Sequence, residues 1–128
     1  NSVPGEMNMY ETGEDYTETI LLLKKKNGSV RSIDIANELG YSRPSVSRAV
    51  GLLKNDGYIT VNAAGEIELT DTGRKTAHAV YERHVTLTRF LMKTAGVKEQ
   101  TAETDACRIE HIISPETFRG IKRFMKQV

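Results

Sequence analysis

Apolar residues along this 128-residue chain repeat with two different spacings. In "GEDYTETILLLKKKNG", Tyr16, Ile20 and Leu23 fall on one helical stripe, and Asn27-Gly28 stops it. "SVRSIDIANELG" follows with Ile33, Ile35, Ala36 and Leu39 apolar and Gly40 as terminator. In "YSRPSVSRAVGLLKNDG", Ser42 fits an N-cap and Pro44 the first turn. Val46, Val50 and Leu53 then repeat at i, i+4, i+7 until Asn55-Asp56-Gly57. The spacing next drops to two. Tyr58-Ile59-Thr60-Val61 and Glu66-Ile67-Glu68-Leu69 flank Asn62-Ala63-Ala64-Gly65, which predicts a hairpin. Thr70 caps a long helix, roughly 71–95, with Ala77, Val80, Tyr81, His84, Leu87 and Leu91 along one face and Gly96 at its end. "KEQTAETDACRIEHII" reads as a fifth helix. Ser114-Pro115-Glu116 opens a sixth, with Phe118, Ile121, Phe124 and Met125 apolar.

Two short helices joined by a tight turn and followed by a hairpin make a winged helix-turn-helix. The fold class is therefore mainly α with a small β-hairpin wing. In such a unit the second helix enters the DNA major groove. Val46, Val50 and Leu53 would face the core, leaving Ser42, Arg43, Pro44, Ser45, Ser47 and Arg48 outward. Arginine pairs bidentately with guanine, and serine reads permissively. Arg31, Lys54 and the lysines at 24–26 add basic charge suited to phosphates, which position without specifying.

Charge supports this reading, though the formal net charge is only +1. Residues 1–23 hold five acids and no Lys or Arg, whereas residues 24–56 hold seven bases against three acids. A local basic patch matters more for nucleic acid than the overall balance. The bland reading of the same patch is a solvated surface, and helix-turn-helix units also serve in protein–protein contacts. The wing "NAAGE" has no Lys or Arg and is expected to attract DNA little. A single cysteine forms no internal disulfide, and no stretch approaches a membrane span or a signal peptide. A reducing cytoplasm is the expected setting. Residues 1–6 carry no clear pattern.

A second chemistry is suggested by "TDACRIEH", where Cys107, Glu110 and His111 stand at i, i+3, i+4 and so share a helix face. Asp15 and Glu18 are likewise i, i+3 in the first helix, and His84 sits on the apolar face of the long one. First-row divalent metals take imidazole, carboxylate and, for softer ions, thiolate. Each candidate also has a plain reading. His84 would be a satisfied core histidine, Asp15 and Glu18 would complement the helix dipole, and Cys107 would be a small buried hydrophobe.

The pieces "GEDYTETILLL", "DIANELGYSRPSVSRAVGLLKNDGYI", "LTDTGRKTA", "YERHVTLTRFL" and "CRIEHIIS" together resemble the diphtheria toxin repressor and manganese transport regulator family of metal-dependent repressors. The resemblance covers almost the whole chain and is to the short, two-domain form. It implies a DNA-binding domain over residues 1–75 and a helical metal-binding and dimerisation domain over 76–128. It implies a homodimer on a palindromic duplex operator, with the apolar faces of the fifth and sixth helices (Ile109, Ile112, Phe118, Ile121, Met125) as the dimer surface. The metal ligands it implies are Asp15, Glu18, His84, Cys107, Glu110 and His111.

These ligands mix two branches of the family. The manganese branch shares Asp15 and Glu18 but has glutamate where this chain has Cys107. The iron branch shares Cys107 but has methionine where this chain has Asp15. That branch's ancillary site uses a carboxylate where Thr88 stands and a histidine where Glu103 stands, so that site is not expected here. Mn(II) or Fe(II) is the expected ion, with Zn(II) and Co(II) as alternatives. A rival reading is a metal-independent winged-helix regulator in which Cys107 senses oxidants. An enzyme is not expected, because the chain offers no catalytic loop or substrate pocket.

Overall fold

The computed structural model describes residues 9–128, with side chains from Gly13 onward; the unpatterned residues 1–6 lie outside them. In chain order the elements are α1 (Met9–Asn27), α2 (Ser32–Leu39), α3 (Arg43–Asn55), β1 (Ile59–Val61), β2 (Ile67–Leu69), α4 (Asp71–Ala95), α5 (Glu99–Ile109) and α6 (Pro115–Gln127). The chain divides after His78 into two compact units, to which α4 contributes its two ends.

Local chemistry sets the boundaries in the first unit. Gly40 adopts φ 72°, a left-handed turn that needs no Cβ, and its N–H closes α2 on the Ala36 carbonyl at 2.9 Å. Two residues later Ser42 is extended, and its Oγ accepts from the Ser45 N–H at 3.3 Å, which starts α3. The apolar stripe of α3 then turns inward. Val46, Ala49, Val50 and Leu53 join Tyr16, Ile20 and Leu23 of α1, Ile35 and Ala36 of α2, and Val30, Ile59 and Ile67 in one buried cluster. Each large aliphatic buried there stabilises the unit by about 1.5–3 kcal/mol. The cluster also covers the Tyr16 ring, which stacks on Tyr41 with centroids 6.4 Å apart. Burial, then the neighbouring Tyr41 and Asp15, push the Tyr16 phenol up to about 12, so it stays neutral at physiological pH.

β1 and β2 pair antiparallel, Ile59 opposite Leu69 and Val61 opposite Ile67. The turn between them is organised by Asn62, whose Oδ1 accepts from the N–H groups of Ala64 and Glu66, both at 2.9 Å. β2 is further held by a 2.7 Å bond from the Ile67 N–H to the Val30 carbonyl and by an ion pair between Lys24 and Glu68. The start of α4 is seated on this unit. Thr70 Oγ1 donates to the Gly57 carbonyl at 2.6 Å and accepts from the Gly73 N–H at 3.1 Å. A Cβ on Gly73 would stand 2.1 Å from the Tyr58 carbonyl oxygen, so only glycine fits.

In the second unit the fully buried side chains include Val80 and Leu87 of α4 and Ala102 and Ala106 of α5. Phe90 meets Phe124 edge-on at 6.0 Å, and Glu82 pairs with Lys122 at 2.7 Å. Three sequence expectations shift here. Tyr81 is 42% exposed instead of facing inward, because the buried positions of α4 run Ala77, Val80, Leu87, Thr88. Phe118 is buried within the chain and is therefore not a free dimer surface, whereas Ile112 is 76% exposed. The fifth helix ends at Ile109, earlier than its apolar pattern suggests. Pro115 disfavours helical geometry at Ser114, which is extended and caps α6 by accepting from the Thr117 N–H at 3.1 Å. Among the described residues no helix is long and apolar enough to cross a membrane.

Candidate metal centre and DNA interface

The outward face of α3 carries Arg43, Pro44, Ser47 and Arg48, all exposed, with Lys54 exposed at its last turn. Two of the serines are less available than their sequence suggests. Ser42 Oγ, besides capping the helix, donates to Ser45 Oγ at 2.9 Å. Ser42 thus shapes the helix start, and Arg43, Ser47 and Arg48 are the freer groups. The basic patch is also partly committed. Lys24 is paired with Glu68, while Lys25 and Lys26 remain exposed. Arg31, a candidate phosphate contact, precedes α2; its N–H donates to Asp34 Oδ2 at 2.9 Å and its guanidinium donates to the Ala64 carbonyl in the wing turn.

Glu110 is the centre of the second unit's polar chemistry. It caps the C-terminus of α5, is 1% exposed, and carries two distinct contacts. Oε1 lies 2.8 Å from His84 Nδ1, and Oε2 lies 3.5 Å from His111 Nε2. Beyond that approach, Oε2 makes no hydrogen bond among the described residues. A buried carboxylate with an unsatisfied oxygen is costly unless something charged meets it. The backbone at the same residue is also gripped, because Arg83 Nε donates to the Glu110 carbonyl at 2.9 Å. Adjacent residues of α4, Arg83 and His84, thus hold one turn of α5 by its main chain and its side chain. Arg83's part leaves no mark in the sequence, since an arginine beside a histidine has no periodic signature.

Cys107 departs from the expected cluster. It is exposed, while Glu110 is buried, although the two are one helical turn apart. Cys107 lines a cleft of about 520 Å³ with His84, Gln100, Glu103, Thr104 and Arg108. His84 Nε2 points toward Glu103 at 3.9 Å across it. Asp15 and Glu18 lie half-buried on α1, in the first unit. As the side chains stand, no three Asp, Glu, His or Cys among the described residues are spaced to grip one ion. His84 Nδ1 is turned onto Glu110 instead. The donor types nevertheless suit a divalent cation, and the buried, unsatisfied Glu110 Oε2 is the atom such an ion would satisfy.

Comparison with known proteins follows the same division. Residues 8–65 match the N-terminal DNA binding domain of iron dependent repressors, and residues 70–128 match their metal binding and dimerisation domain. An uncharacterized HTH-type transcriptional regulator of Methanocaldococcus jannaschii is 31% identical over 120 residues, 93% of this chain and 96% of that one. The transcriptional regulator MntR of Salmonella typhimurium is 34% identical over 122 residues, 95% of this chain and 77% of that one. The diphtheria toxin repressor of Corynebacterium diphtheriae is 32% identical over 120 residues, 94% of this chain but 53% of its own length. A solved manganese-dependent transcriptional repressor in complex with manganese is similar with a TM-score of 0.82 at 25% identity, over 89% of this chain and 52% of that one. The chain therefore spans nearly all of one relative and about half of two others.

Proposed function

This chain belongs to the iron-dependent repressor family, and from that premise we propose that it is a metal-dependent, DNA-binding repressor of metal-ion homeostasis genes. It acts as a homodimer on a palindromic duplex, with α3 in the major groove and residues 1–75 as the reading domain. Residues 76–128 bind metal and carry the dimer surface. The observation that carries this reading is Glu110, buried at 1% exposure between His84 and His111 with one oxygen unsatisfied.

Glu110, His111 and His84 are the core ligands in this proposal, with Cys107 beside them. Asp15 and Glu18 join the set on the strength of the family resemblance. When bound, a Mn(II) or Fe(II) ion supplies the positive charge that offsets these carboxylates; Zn(II) and Co(II) fit the same donors. Oxygen donors favour manganese, and the thiolate favours iron or cobalt. His84 Nδ1 holds Glu110 by Oε1 at 2.8 Å, which leaves Oε2 as the carboxylate oxygen that would meet an ion. Differential affinity of the ion for the DNA-competent arrangement is what makes binding metal-dependent. The protein works in the cytoplasm as a regulator and not as an enzyme.

The test is an anaerobic titration of DNA binding with Mn(II) and Fe(II) on a duplex selected from a random pool. Affinity is expected to rise at least tenfold over the chelated protein. Equal affinity with metal and with chelator would sink the co-repressor role and turn attention to oxidation at Cys107.

A further inference from the structure

The wing turn, Asn62-Ala63-Ala64-Gly65-Glu66, contains no basic residue, and its one charge, Glu66, is tied to Asn62 Nδ2 at 2.9 Å. A wing so built would repel a phosphate backbone. The structure brings it a cation from elsewhere. Arg31 leaves the chain just before α2 with an extended backbone, φ −124° and ψ 166°, and its Nη1 donates to the Ala64 carbonyl at the turn. The base of the side chain is fixed as well, because the Arg31 N–H is held by Asp34. A Cβ placed on Gly65 would come within 3.6 Å of the guanidinium, so the group lies along the turn. Arg31 is exposed, and a guanidinium has five N–H donors in a planar fork, of which the wing takes one. Lys24 makes the contrast, since its charge is spent on Glu68 of β2.

We propose that Arg31 is the wing's phosphate-contacting cation, docked on Ala64 so that its remaining donors face the DNA backbone. This deepens the reading of the first unit as a DNA reader and rests on it. A guanidinium suits the role better than an ammonium. Its fork can bond a carbonyl on one edge and a phosphate on another, and anchoring it beforehand reduces the rotamer freedom lost on binding. The contact would fall outside the stretch read by α3, so it would add affinity without base preference.

The experiment uses the full chain with Mn(II) and a duplex of about 30 base pairs, selected by the wild type from a random pool. Binding is measured across a salt series for wild type, Arg31→Met and Arg31→Lys. Methionine keeps much of the aliphatic stem and removes every donor. The log–log salt slope of Arg31→Met is expected to shrink by about one per protomer. Its hydroxyl-radical footprint is expected to lose the outer protections while the central ones stay. Arg31→Lys keeps the charge and is expected to keep most of the slope. A slope and footprint in Arg31→Met equal to the wild type would overturn the proposal and leave Arg31 a clamp on the wing. Failure of the wild type to select any duplex would overturn the DNA reading itself, and is told apart by appearing without any substitution.

Discussion

Glu110 poses a choice between two roles that a single substitution separates. A glutamine there keeps the shape and can still accept from His84 Nδ1, but it removes the charge. If the carboxylate served packing alone, Glu110→Gln would change little beyond stability. We expect Mn(II) affinity by calorimetry to fall at least tenfold, with unfolding free energy changed by less than about 1 kcal/mol. Cys107 invites the opposite experiment. Cys107→Glu replaces a soft donor with a hard one at an exposed position, so the fold should tolerate it. Competition titrations are expected to move toward Mn(II) over Fe(II). Unchanged selectivity would mean that the sulfur is not a ligand. The six candidate ligands were all visible in the sequence by type and spacing. What spacing could not reveal is the split between the exposed Cys107 and the buried Glu110, because α5 ends between them, at Ile109.

At the scale of elements, the helix-turn-helix and wing follow closely from local chemistry. Gly40, Ser42 and Pro44 mark the turn and the cap, and the stripe Val46, Val50, Leu53 faces inward as its period demands. Buried Ala49 was missed, since alanine carries too little apolar signal to mark a face. Tyr81 misled for the converse reason. It is apolar in pattern, but its hydroxyl is cheaply kept in water, while Thr88 one face over is buried. The seat of α4 was invisible, because close approach of two backbones leaves only a glycine as its trace. Gly73→Ala tests it. With a Cβ 2.1 Å from the Tyr58 carbonyl, the helix start must shift, and denaturant unfolding should show a loss of more than about 2 kcal/mol. A loss within about 0.5 kcal/mol would mean the helix start moves freely.

For the whole molecule, the question is assembly. Ile112 stands 76% exposed in the turn between α5 and α6, within the stretch that matches a dimerisation domain, where a second chain would bury it. Ile112→Glu is expected to weaken the dimer, seen as a shift toward monomer in sedimentation at micromolar concentration. The circular dichroism should stay that of the wild type, since the side chain supports little within its own chain. The sequence placed Ile112 on the dimer surface together with Phe118, and only exposure in the fold separates the two.

The grip of Arg83 and His84 on Glu110 also gives this part of α4 a fixed phase. Seven residues separate the buried Val80 from the buried Leu87, about two turns, so both lie within roughly 20° of one face, with His84 between them in the same helix. Adding a single residue between Val80 and His84 would swing His84 about 100° around the axis relative to Val80 while every bond of the helix survived. A surface loop absorbs an added residue at little cost. This stretch of α4 behaves as a toothed shaft, in which the count of residues is itself the specification.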